Sequence, residues 1–595
     1  MSVSGSPRRR ARPLAVAVVL CASLVGWSAG AALAANVTTQ ISVVDSHGNG
    51  IAGVPIHYTA NPNSGWYYLG TTDSSGQVDV TAPAGSYQLM ADYNQGESIT
   101  SSAVDISQPY TFRTVQVTLL NSGLTYATDA YSGWHTYAGP MQMFPGTYLL
   151  NDSHGNVSLA VGATDFTGGI VRLVDHTGAG LAGGTVSYYL NGWNTVPGQT
   201  DANGNLLVSI PSGSPYFGYL YVGMTYAGTY SQQSLTQLAS SNFTFQTALA
   251  VVRLDDADGN PLDTGSASYY AGGWRSVGSG STSGGVVTQE MLPGSYSFAM
   301  SYNGTRQQLD SVAISGPSTT VTFQTGRLTL AFSGGIQYSW AQTGYSAFTK
   351  PTMEFLPGSV QLNLNSGYDW CTPSLFTIAA GDHVTLSGIF AKLTGSGGLA
   401  LAGGVATAYV GGWQSVGTTG SNGVACAMFP GTLGNTAVAM AYNGSRQQIT
   451  QYQPTNSVYT FGAADVTVKL EDASGNPLDT GTASYYAGGW HTIGNTSGGA
   501  VDVQLLPGSY SFAMTYNGTR EQFNNVAVSG TATTVTFQTG SVLSTTGTAT
   551  AYYAGGWVLF SQGAQLLPGT YTFGFNDGTP NTAYTITAAV VNGIH

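Results

Sequence analysis

Six residues, Tyr-Tyr-Ala-Gly-Gly-Trp, recur at 269–274, 485–490 and 552–557, and diverged forms set Trp193 and Trp413 at the same place. Side chains of this kind break no bonds. Their flat apolar faces and polar edges stack on sugar rings or pack against another protein. The candidate contacts are therefore Trp193, Trp274, Trp413, Trp490 and Trp557, with Tyr269 and Tyr485 beside them. Adjacent tyrosines in a strand point to opposite faces, so one of each pair is expected outside or at an interface. The competing expectation is structural: the Trp plugs the end of each folded unit or the joint between neighbours. Its recurrence together with a hairpin skeleton favours this second role.

Other chemistries have less support. Asp256, Asp258 and Asn260 resemble the start of a calcium loop, but such a loop needs about six to eight oxygens, and this stretch meets Pro261-Leu262 without a Glu at the required distance. Counterparts elsewhere lose the ligands one by one, so a β-turn built on Asp, Gly and Asn is expected. The histidines are scattered, and none has a Cys or a second His at ligand spacing. No Ser-His-Asp set or paired-carboxylate site can be assembled from spacing, so no catalytic residue, metal site or cofactor is nominated. Asn303-Gly-Thr, Asn443-Gly-Ser and Asn517-Gly-Thr match a glycosylation sequon, but their place at a hairpin tip already accounts for them.

The elements that position these residues are short strands. In Leu-Pro-Gly-Ser-Tyr-Ser-Phe-Ala-Met-Ser-Tyr-Asn-Gly, Tyr296, Phe298, Met300 and Tyr302 alternate with Ser295, Ser297, Ala299 and Ser301, the period of a half-buried strand. Asn303-Gly304 suits a type I′ turn onto a strand beginning at Thr305. The Pro-Gly before it turns the chain back from a strand in which Val287, Gln289 and Met291 point inward. With strands at 8- to 12-residue spacing and no amphipathic helical stretch between them, the fold class is all-β, a tandem array of small antiparallel sandwiches.

Self-similarity sets the organisation. A leader is expected at 1–34. Long repeats are expected at 38–115, 170–247, 250–325, 389–462 and 464–539, and short ones at 117–168, 326–388 and 540–595. From residue 170 the order is long, long, short, twice over.

The order Asp256-x-x-Gly259-Asn260-Pro261-Leu262, then a Gly-containing turn, then Leu292-Pro293-Gly294-Ser295-Tyr296-Ser297-Phe298 resembles the transthyretin-like sandwiches of carboxypeptidase regulatory-like domains and of collagen-adhesin B-type repeats on bacterial surfaces. Such adhesin repeats imply a Lys–Asn isopeptide crosslink promoted by a buried Glu. Here Met300 and Met514 stand at the Glu position, and Arg172 and Arg253 at the Lys position of two copies, leaving only Lys469 and Lys392, so no crosslink is expected.

The N-terminus carries Arg8, Arg9, Arg10 and Arg12, an apolar run from Leu14 to Val25, and Ala32-Leu33-Ala34 as a cleavage site, which reads as an export signal. Four of the 15 Lys and Arg leave with it, so 11 face 27 acids, a formal charge of −16. That balance argues against nucleic acid and anionic membranes as partners. No later stretch is apolar and long enough to span a bilayer. With 7% charged residues against 42% apolar, the composition is that of folded strands and not of a disordered tail. Export permits a Cys371–Cys426 bridge, while Cys426, on a core face with Val424 and Met428, suits a buried free thiol equally well. The function expected is that of a secreted, non-enzymatic structural or adhesive protein of the cell surface or matrix. Its partners would be a surface polysaccharide or protein, or further copies of itself. Multivalent sugar binding through the Tyr-Tyr-x-Gly-Gly-Trp aromatics is the alternative.

Overall fold

The computed structural model describes residues 35–595 apart from 62–64, 95, 101, 129–132, 211–220, 241, 333–334, 341–343, 345, 366–373 and 453–457. The leader at 1–34 and Cys371 lie outside the described residues. Packing divides the chain into two units. The first runs to Phe245 without 175–177 and 226–231, and the second holds those two segments and Gln246–His595.

One module of the second unit shows the plan. Its strands are β1 (Ala248–Asp255), β2 (Ser266–Tyr270), β3 (Trp274–Ser281), β4 (Val286–Met291), β5 (Gly294–Tyr302), β6 (Thr305–Ile314) and β7 (Ser318–Gln324). They form a three-stranded sheet in the order β4-β1-β7 and a four-stranded sheet in the order β3-β2-β5-β6. Pairing is antiparallel except that β1 runs parallel to β7, a departure from the all-antiparallel expectation. One core joins the sheets: Ala250, Val252 and Leu254 of β1 pack with Phe298 and Met300 of β5 and with Val321 and Phe323 of β7. The β5–β6 turn has Asn303 at φ 46° and Gly304 at φ 73°, the two left-handed residues of a type I′ turn. The sheet pair recurs at 464–538, with Val466, Phe512, Met514 and Phe537 in its core, and in abbreviated form at 540–594. In the first unit, Asn36–Val44 pairs with Gln77–Pro83 and, in parallel, with Tyr110–Arg113.

Two strands and a helix depart from expectation as well. The strand Phe166–Val174 crosses the expected boundary at 168–170: its start pairs with Val117–Leu119 and its length with Asn205–Ile210. His383–Thr394 does the same at 388–389, pairing first with Arg327–Leu330 and then with Val424–Pro430 and Val458–Gly462. A short repeat and the long one after it therefore share a sheet without a linker. Leu235–Ser240 forms a six-residue helix, begun by a capping box in which Gln237 N–H donates to Ser234 Oγ and Ser234 N–H donates back to Gln237 Oε1. Cys426 is disulfide-bonded, not a free thiol, with its partner outside the described residues.

Modules that do not share a sheet meet through a repeated joint at the Asn-Gly tip. Asn303, Asn443 and Asn517 donate from Nδ2 to the carbonyls of Glu354, Gln504 and Gln565 at 2.9–3.1 Å. The hydroxyls of Thr305, Ser445 and Thr519 accept from the N–H of Leu356, Leu506 and Leu567 at 2.9–3.1 Å. Those leucines, from the Leu-Pro-Gly of the following module, are fully buried and complete the core of the preceding one. In the first unit Asn94 and Phe144 play the same parts.

Candidate binding face

The recurring aromatic phrase lies on the β2–β3 hairpin. Tyr270 ends β2 and Trp274 opens β3 directly opposite it. The three-residue loop is closed by Ala271 N–H donating to Gly273 O at 2.9 Å, and Gly272 takes φ 68°, where a β-carbon is unfavourable. The same pairing sets Tyr189 against Trp193, Tyr409 against Trp413, Tyr486 against Trp490 and Tyr553 against Trp557. In all five the rings meet edge to face, with centroids 5.6–5.7 Å apart and planes at 69–73°. This is a favoured arrangement for aromatic quadrupoles.

These tryptophans do not plug joints. Trp193, Trp274, Trp413, Trp490 and Trp557 are 44–53% exposed, which corrects the structural expectation for them; the plug is the Leu-Pro leucine instead. Tyr269 and Tyr485 are buried, at 2% and 3% exposure, because the pleat turns the first tyrosine of each pair inward against Phe298 and Phe512. Their hydroxyls donate to the carbonyls of Ala227 and Asn443, and burial pushes both phenols above their ordinary pKa. The exposed partners of the tryptophans are thus Tyr270 and Tyr486, which pleat parity alone did not select.

The Trp557 indole lies along the outer face of the four-stranded sheet. Ala299, Ala439 and Ala513 point outward, opposite in the pleat to core residues Phe298, Val438 and Phe512, yet are only 1% exposed. The matching position in the last module is Gly574, where a β-carbon would stand 3.3 Å from the Trp557 ring. Small residues on the sheet leave the shelf on which the ring rests. Arginines complete the arrangement in three modules. The guanidinium carbons of Arg306, Arg446 and Arg520 lie 4.7, 5.0 and 4.7 Å from the ring centroids of Trp274, Trp413 and Trp490. Each arginine follows the Asn-Gly-Thr or Asn-Gly-Ser tip, a signal visible in the sequence but unconnected there to the tryptophan some 30 residues earlier.

The acidic turns serve the backbone. Asp256 accepts from the N–H groups of Asp258 and Asn260 at 2.9 and 2.8 Å, and Asp472 from those of Ser474 and Asn476 at 2.7 and 2.8 Å. The Asn476 side chain leads the interactions that hold the Asp472 carboxyl below its ordinary pKa. The fold also brings Glu290 to the consecutive Asp175 and His176, with ligand atoms within 4.8 Å of one another. There the His176 Nδ1 and the Thr247 hydroxyl both contact the Glu290 carboxylate. Glu521, half-buried opposite Met514 where Gly508–Tyr516 pairs with Thr519–Val528, was also missed from sequence.

No protein-family model matches the chain, and no curated protein matches it in sequence. Among solved structures it is similar to the Bacillus anthracis TIE protein, at 10% identity over 82% of this chain and 69% of that one, with a TM-score of 0.15. It is also similar to the major pilin subunit of Bacillus cereus, at 11% identity over 49% and 98%, TM-score 0.16, and to the pilus adhesin SpaC of Lactobacillus rhamnosus GG, at 12% over 82% and 54%, TM-score 0.13. Superpositions this loose carry no information about function. No helix among the described residues is long and apolar enough to cross a membrane. What the strands and cores establish is the architecture: a nearly all-β chain of small sandwiches in tandem.

Proposed function

We propose that the chain is an exported, non-enzymatic repeat protein of the cell surface or extracellular matrix, whose transthyretin-like modules space and present an outer face. The observation that supports this reading is the joint: the same Asn, hydroxyl and Leu contacts recur from module to module, so neighbours are locked and not strung on flexible linkers. Antibody labelling of intact cells, beside blots of cytoplasm and medium, tests it. Accumulation at the surface or in the matrix is expected, and a purely cytoplasmic protein would overturn it.

A second reading has its own support in the exposed, shelf-mounted tryptophans, which suit stacking on sugar rings. Under it the protein is a multivalent carbohydrate binder, its affinity raised by repetition. Retention of the full chain on insoluble polysaccharides, lost in Trp274→Ala/Trp413→Ala/Trp490→Ala with folding intact, is the expected result.

A further inference from the structure

We infer that Trp274 with Arg306, Trp413 with Arg446, and Trp490 with Arg520 are three copies of one site for an anionic polysaccharide whose sugar rings carry carboxylates. The inference rests on the second reading above and names its ligand class.

Cations are scarce in this chain, and the structure distributes them unequally. Arg253 is paired with Asp255, and Arg327 is held among Asp256, Asp258 and Glu354. Arg306, Arg446 and Arg520 make no ion pair among the described residues, and all three stack on the exposed tryptophan of their own module. Placement of one unpaired cation at the same spot three times is not needed for folding, since the module at 540–594 has the Tyr553–Trp557 pair and no arginine at all.

The guanidinium leaves part of each tryptophan exposed. Trp274, Trp413 and Trp490 are 44–46% exposed beside their arginines, against 53% for Trp557 without one. Each site therefore offers part-exposed indole and tyrosine surface beside a guanidinium that makes no ion pair among the described residues, the Arg306 Nη1 donating to Gln308 Oε1 at 3.4 Å. A pyranose packs its C–H face against the exposed tyrosine and the uncovered part of the indole, and a carboxylate on that ring accepts N–H bonds from the guanidinium. A neutral sugar would leave the arginine unused, and an acidic peptide would leave the flat indole shelf unused. The formal charge of −12 does not forbid such a ligand, because at physiological ionic strength charges beyond about 8 Å are largely screened and the local cation decides.

The test is retention of the full chain on beads bearing polygalacturonate, on beads bearing its methyl ester, which differs only in charge, and on neutral cellulose. Arg306→Gln/Arg446→Gln/Arg520→Gln is compared with the lysine triple variant and with Trp274→Ala/Trp413→Ala/Trp490→Ala, each checked for unchanged circular dichroism and melting. Parent binding to the acid form is expected to be at least about tenfold stronger than to the ester. The glutamine variant should lose about tenfold or more, the lysine variant should fall between, and binding should weaken as NaCl rises from about 50 to 300 mM. Equal binding by parent and glutamine variant, or equal retention on acid and ester, overturns the inference. If the tryptophan variant then still loses binding, the sugar-binding reading survives without it. Retention of the parent on no polysaccharide overturns both.

Discussion

Among single residues, Glu521 has the most measurable consequence. It stands where other modules have Gln307 and Gln447, facing its core, with Oε2 buried and without a hydrogen-bond partner. Burial pushes its pKa up to about 7. The titratable group facing it from the next module is Tyr571, whose phenol is raised first by burial and further by the Glu521 charge. Because the folded value lies above the unfolded one, the stability at this site is fully present below about pH 4.5, falls as pH rises to about 7 and stays low above it. The full shift would correspond to about 3 kcal/mol, and with the side chain only half buried about 1 kcal/mol is the realistic loss. Melting of the full chain at pH 5 and pH 8 measures it: Glu521→Gln should flatten the difference. The aromatic phrase shows what residue-level reading can reach. Alternation told that one tyrosine of each pair faces outward, but which one depends on where the Gly-Gly loop sets the register with the following strand. The Trp–Arg contacts were illegible, since nothing in local spacing links a hairpin to a turn some 30 residues later.

At the scale of elements, the Asn-Gly hairpin was legible almost completely, because positive φ at two successive positions restricts composition so tightly. Its docking role was not, since it is satisfied by a neighbour. Gly444 carries both constraints: it sits at φ 71°, and a β-carbon there would come 2.6 Å from the His491 ring of the following module. Gly444→Ala should cost about 1–3 kcal/mol, read as faster amide exchange in Asn435–Tyr452. Leu506→Ala, at a side chain with no exposure, should cost about 2–4 kcal/mol and raise exchange on both sides of the joint, whereas Trp490→Ala should change it little. If the leucine variant exchanges like the parent, the joint contributes nothing to stability.

For the whole molecule, composition and repeats foretold an all-β tandem array. Of the two states the sequence left open for Cys426, the structure has the bridge. Cys426 packs with Leu328, Phe355, Leu362 and Met428, so reducing the bridge should loosen that cluster first. A loss of about 2–4 kcal/mol is expected there, seen as proteolysis or exchange between Leu328 and Met428, with Ala464–Gln538 unchanged. Repeat boundaries were the least legible, because sequence similarity marks where a phrase resumes and says nothing about whether the backbone pauses there. The two strands that run through 168–170 and 388–389 therefore restrict how such a gene can grow or shrink. A recombination event that removed the short repeat at 117–168 or 326–388 would cut a strand in half and strip edge pairing from its successor, leaving two damaged folds. Breakpoints near 247, 325 and 463 fall between strands instead. Lineages that change repeat number should gain or lose the repeats 117–168 and 326–388 only together with the long one after each, so the heritable block there is that pair.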